Sequence, residues 1–167
     1  MCLDAGLASP PHGMVAVTEP RKVAVLSLAR RVAEERGGVV GGEVGYKFRF
    51  EDLIGESTRL AYMTDGILLR EALYDSLLTK YSTVIVDEVH ERSLHTDVLL
   101  YVLKMAQRQR ARNTGGGLRP LRIILMSATL RGEKFAEYFS TKDADGKVVE
   151  PPMYYVKGRT HHVEVNF

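Results

Sequence analysis

The 167 residues, 45% of them hydrophobic and 26% charged, suffice for one domain with a sizeable core. Lys and Arg number 23 against 21 Asp and Glu, so a net charge of +2 excludes binding by bulk charge and requires any nucleic-acid footprint to be local. The single cysteine, Cys2, excludes an internal disulfide, no apolar run approaches the roughly 18 residues of a membrane span, and no leader-like pattern opens the chain.

Residues 1–13, with Gly6, Pro10, Pro11 and Gly13, are rich in turn formers and predict irregular chain with room for a helix end at Cys2–Leu7. Met14–Val17 predicts a short strand, and Thr18-Glu19-Pro20 a turn into a helix with Pro20 near its first turn. Val25, Leu28, Ala29 and Val32 form one helical face up to about Arg36, where Gly37-Gly38 ends it. From Val44 the period changes to two. Val44, Tyr46, Phe48 and Phe50 alternate with Gly45, Lys47 and Arg49, predicting a half-buried strand whose basic outer face suits edge protection and nucleic-acid contact about equally. Arg59–Met63 predicts another strand, Thr64-Asp65-Gly66 a cap, and Leu69, Ala72, Leu73 and Leu77 the buried face of a helix.

Val84, Ile85 and Val86 lack polar alternation and predict a strand buried on both faces. A helix over His95–Arg110 would bury Leu99, Val102, Leu103 and Ala106, and Gln107–Arg119 reads as a basic, solvated loop. Ile123–Met126 is a second fully apolar strand, ending in Ser127-Ala128-Thr129. Phe135, Tyr138 and Phe139 suggest a short helix, Thr141–Lys147 a polar loop, and Met153–Val156 a last strand. This order of elements is that of a doubly wound α/β domain.

The stretch STVIVDEVHERSLHTD, residues 82–97, carries the chemistry. Asp87 and Glu88 follow a buried strand, where open α/β sheets place their sites, and such a pair can orient a hydrated Mg2+ and an attacking water against a nucleoside triphosphate. A zinc site among Asp87, Glu88, His90, Glu91 and His95 is rejected on spacing, because the two histidines are five apart and a helical H-E-x-x-H needs four. His161-His162 reads as a surface pair.

Joined by TEPRKVA (18–24), RRVAEE (30–35), VGYKFRFED (44–52), TDGILLRE (64–71) and Ser127-Ala128-Thr129, this stretch closely resembles the first RecA-like domain of the DEAH-box RNA helicases. The motifs stand in family order over about residues 15–165, and KYSTVIVDEVHERSLHTDVL looks most like a nucleolar member. The resemblance implies a mostly parallel sheet with helices on both faces, ATP and Mg2+ as cofactors, and ATP-driven movement along RNA. It implies that Asp87 holds Mg2+ through water and Glu88 positions and helps deprotonate the attacking water. His90 would link the nucleotide site to a second RecA-like domain, and Ser127 and Thr129 would tie hydrolysis to domain movement. RNA would be met by Thr18, Arg21 and Lys22 at one strand-to-helix turn and by Thr64 and Asp65 at another, where backbone N–H groups can face phosphates, with Arg49 adding a contact. A helicase-activating adaptor protein is a further expected partner, a membrane is not, and the expected location is nuclear, possibly nucleolar, with cytoplasm as the alternative.

Departures from the family pattern qualify this reading. Glu19 puts a carboxylate where Gln is usual and Lys22 lacks a guanidinium fork, which together weaken the expected RNA affinity. Val89 replaces a usual Ala, and no G-x-x-x-x-G-K-[ST] run occurs. The expectation is therefore a remnant at 1–13 following an absent triphosphate loop, a partial first RecA-like domain at 14–158, and at 159–167 the start of a crossover to a second. Its sheet would lack the triphosphate-loop strand, with a gap beside the Ser127 strand, and the chain alone would be inactive. The alternative is a non-catalytic short form that binds at most RNA or a partner.

Overall fold

A computed structural model describes residues 3–8, 13–112, 117–129, 132–143 and 145–156. The chain divides into two compact units, residues 1–128 and 129–167.

The first unit is built on a six-stranded sheet. Its strands are β1 (Met14–Glu19), β2 (Val44–Phe48), β3 (Glu51–Leu53), β4 (Leu60–Thr64), β5 (Tyr81–Val86) and β6 (Arg122–Leu125), in the order β3-β2-β4-β1-β5-β6. Every pairing is parallel except β2 with β3. The helices are α1 (Lys22–Glu35), α2 (Asp65–Tyr74) and α3 (Leu94–Arg112). Side chains alternate across a strand, and the sheet uses both sets. Val15, Val17, Tyr46, Tyr62 and Ile85 pack with Val25 and Ala29 of α1 on one face. On the other, Ala16, Ala61, Met63, Val84 and Val86 are buried beneath α2 and α3, whose Leu68, Leu99 and Leu103 are fully enclosed. Each such leucine stabilises the fold by about 1.5–3 kcal/mol. This is the expected RecA-like α/β architecture.

β5 is buried along its whole length, as its unbroken apolar run predicts. β6 is not. Its residues alternate between exposed and half-buried because α1 covers β1, β2 and β4 but leaves β6, at the sheet edge, open on that side. The strand expected over 44–50 stops at Phe48, because Phe48 pairs with Glu51 and Arg49-Phe50 becomes a two-residue hairpin turn. α1 starts at Lys22 after Arg21, so Pro20 precedes the helix rather than lying in its first turn. α2 buries Ile67, Leu68 and Ala72, while Leu73 faces solvent, a rotation of the expected face.

The expected solvated loop over 107–119 begins instead as helix. Arg110 is 2% exposed, and its guanidinium donates to the carbonyls of Arg119 (2.7 Å), Tyr81 (2.8 Å) and Leu78 (3.3 Å), tying the end of α3 to the entry of β5. Leu3–Ala8 forms turns rather than a helix end. Ala8 is nonetheless buried, and its carbonyl accepts from Arg59 Nε.

The second unit contains α4 (Glu133–Phe139) and a small antiparallel pair, β7 (Thr141–Lys142) with β8 (Val148–Val149). The polar loop thus supplies a hairpin, and the strand expected at Met153–Val156 does not form: those residues carry no regular secondary structure. Cys2 and His161-His162 lie outside the described residues.

Candidate nucleotide and RNA site

Parallel pairing sends the C-terminal ends of β1, β4, β5 and β6 to one edge of the sheet. That edge gathers Glu19, Thr64-Asp65, Asp87-Glu88 and Met126-Ser127. The β1–β5 ladder continues one step past the strands, with Asp87 N–H donating to Thr18 O at 3.0 Å. Asp87 Oδ1 then accepts from Glu88 N–H at 2.7 Å, which fixes the carboxylate against its own chain. Glu88 adopts φ 51° and ψ 34°, a left-handed conformation costly for a side chain with a Cβ, and so turns the chain into a 3-10 turn, Val89–Glu91. Such strain, held by bonds on either side, is a mark of a functional loop.

β6 closes the site from the other side. Met126 N–H donates to Val86 O (2.8 Å) and Val89 N–H to Met126 O (3.1 Å), so the two strand ends run on together. His90 Nδ1 stands 3.4 Å from Ala128 N and 3.2 Å from Glu88 Oε2. An unprotonated Nδ1 accepts from Ala128, whereas a protonated one donates to Glu88, so the ring serves one neighbour at a time. Asp87, Glu88, His90 and the exposed Ser127 therefore lie together at this edge. Thr129 is exposed and begins the second unit.

Sequence reasoning assigned Glu19 to the RNA side, and the structure turns it inward. Glu19 is 3% exposed, with Oε1 unpartnered and its carboxyl close to Asp87. Burial first, and then the negative charges of Asp87, Glu88 and Asp65, push its carboxyl up to about 8, so it carries the proton at neutral pH. What turns it inward is topology: β1 lies beside β5, so the end of β1 meets Asp87.

The donor set is hard carboxylate oxygen, which suits Mg2+. Among the described residues no three His, Cys, Asp or Glu side chains converge as direct ligands. Asp87, whose carboxylate is fixed by the Glu88 N–H, is the residue that would hold a divalent ion here. His90 lies on the 3-10 turn and His95 on α3, so the two histidines occupy different elements and the helical-spacing argument does not apply to them.

The residues expected to meet RNA divide in two. Thr18 (0% exposed) and Asp65 (2%) are interior, and Asp65 Oδ2 accepts from Thr96 Oγ1 at 2.6 Å, so neither side chain offers a surface to a phosphate. Thr18 lies on the central strand β1, and Asp65 opens α2 directly after β4. Arg21 and Lys22 are exposed, Thr64 is half-buried, and Arg49 is exposed over the Phe50 ring at 4.9 Å. Arg21 and Thr64 are the cap residues of α1 and α2, and neither makes a side-chain cap bond, so the first-turn N–H groups of both helices are left to other acceptors. Phe50, 90% exposed at φ 71°, was missed because its period with Tyr46 and Phe48 disguised a turn residue as a strand residue.

No protein-family model matches the chain. ATP-dependent RNA helicase DHX33 of Mus musculus is 48% identical over 154 residues, 92% of this chain and 20% of that protein. The Drosophila melanogaster protein of the same name is 41% identical over 163 residues (98% and 21%), and the Probable ATP-dependent RNA helicase DHR2 of Saccharomyces cerevisiae 44% over 156 (91% and 20%). The chain thus spans about one fifth of the length of the curated relatives it matches. Over nine-tenths of its length the chain is thus similar to a segment of proteins named ATP-dependent RNA helicases, and that stretch folds as a RecA-like sheet with an Asp-Glu-Val-His run after a buried parallel strand.

Proposed function

We propose that this chain supplies the Mg2+- and water-positioning half of an ATP-hydrolysing RNA helicase site, with the RNA-facing turns of the same RecA-like domain. The observation that carries this reading is the joining of Asp87, Glu88 and His90 to the Ser127-Ala128 segment at the carboxyl edge of β5 and β6. Asp87, fixed by the Glu88 N–H, would hold a hydrated Mg2+, and Glu88, 40% exposed and beside His90, would accept a proton from water. Bound ATP with Mg2+ supplies the phosphoryl group and the charge that draws these carboxylates into use. The uncapped N-termini of α1 and α2, with Arg21, Lys22 and the Arg49-Phe50 tip, offer sequence-independent contacts to phosphate and base. The location we infer is nuclear or nucleolar.

In the full-length helicase containing this segment, Glu88→Gln is expected to lower RNA-stimulated phosphate release at least ~100-fold while RNA affinity is kept. Unchanged turnover would remove Glu88 from the chemistry. The 167 residues contain no G-x-x-x-x-G-K-[ST] run to cradle the β- and γ-phosphates, so the polypeptide by itself is expected to release no phosphate from ATP.

A further inference from the structure

The 3-10 turn Val89–Glu91 carries His90 and is tied down from separate directions. Val89 N–H reaches Met126 O, and the Arg92 guanidinium behind the turn grips Asp97 with two bonds of 2.7 and 3.0 Å. Left-handed residues bracket it, Glu88 at φ 51° and Arg92 at φ 52°. The remaining tie comes from α1: Arg21 Nη2 donates to Glu91 Oε1 at 2.8 Å. Arg21 is the cap residue of α1, 73% exposed, beside N–H groups that no side chain caps. Its neighbour Lys22 is directed elsewhere, 5.6 Å over the Phe48 ring. The cation best placed to meet a phosphate at this helix end is therefore already held by a carboxylate of the site loop.

We propose that Glu91 is an internal competitor for Arg21, so that a phosphate of bound RNA must displace the Glu91 carboxylate and, in doing so, frees the His90 turn from α1. This rests on the RNA reading above. Glu91 takes the Nη2 donor and so sets the direction of the fork, and a phosphate that engages the fork with two bonds competes with the carboxylate for that donor. Arg21 is 73% exposed and the Glu91 side chain 29%, so water screens the pair and the tempering of affinity is modest, about threefold.

The test is a double-mutant cycle on the 167-residue chain, reading binding of fluorescein-labelled oligouridylate by anisotropy at low and physiological salt. Glu91→Gln is expected to tighten binding about threefold and Arg21→Ala to weaken it. In the Arg21→Ala background Glu91→Gln should change nothing. If Glu91→Gln tightens binding equally in both backgrounds, Glu91 acts as a diffuse negative charge and the proposal is overturned. It is overturned as well if wild type and Arg21→Ala differ but Glu91→Gln matches wild type, a result that leaves RNA binding standing. No binding by wild type would defeat the RNA reading and this inference together.

Discussion

Glu19 is the residue on which the chemistry of this edge turns. A carboxyl with an ordinary value of 4.5 that stands at about 8 in the fold keeps its proton when the unfolded chain has lost it. Between those values the native state binds more protons than the unfolded one, so the contribution is intact below about pH 4.5 and is lost as pH rises through about 8. Glu19→Gln removes the titration while keeping a donor for Asp87. Thermal melts should then show the variant level with wild type near ~pH 5 and more stable near ~pH 9, by about 2 kcal/mol or roughly 5 °C. Parallel melting curves across that range would show that Glu19 titrates normally. None of this was legible in the residues alone, because a chain position at a strand end does not say which way the side chain turns. The same ambiguity attends Thr18, which the register of β1 against β4 and β5 encloses, and Asp65, whose carboxylate turns in to Thr96. Asp87 and Glu88 were legible because the unbroken apolar run before them leaves only a buried parallel strand.

Elements were read correctly where one period ran long enough, and misread where a turn interrupted it. The buried faces of α1 and α3 followed from their apolar spacing. At the β2–β3 hairpin, alternation continues through Phe50 although the strand has ended, and Arg110 looked like a surface cation because helix propensity cannot reveal that three carbonyls will converge on it. The hairpin shows what this misreading hides. Phe50 is a bulky residue held at φ 71° and 90% exposed, where glycine would be at ease. Phe50→Gly is expected to raise stability by about 1 kcal/mol, roughly 3 °C in Tm. It should also weaken oligouridylate binding about tenfold, since a stacking ring and the plane beneath Arg49 are lost. A variant that melts higher yet binds RNA like wild type would leave the exposed ring without a role in RNA contact.

At the scale of the whole molecule, the sheet of the first unit stops at β6, whose outer edge pairs with no further strand among the described residues. The register sets Ile124 beside Ile85, on the face that α1 covers, but α1 lies chiefly over β1, β2 and β4. Ile124 and Met126 are left 38% and 39% exposed beside a row of open backbone groups. A short apolar edge with only Arg122 to guard it is a template for pairing with another chain. The 167-residue chain should therefore self-associate with rising concentration, and Ile124→Lys, which places a charge on the open face without emptying a packed site, should suppress this. Because Ile124 is already more than a third exposed, the melting temperature of dilute protein should change by less than about 2 °C. Sedimentation velocity at increasing concentration separates the outcomes. Wild-type protein that stays monomeric and melts sharply would show that the β6 edge is protected. An Ile124→Lys variant that associates as wild type does would move the contact elsewhere, and one that unfolds would place Ile124 in the core rather than at the rim.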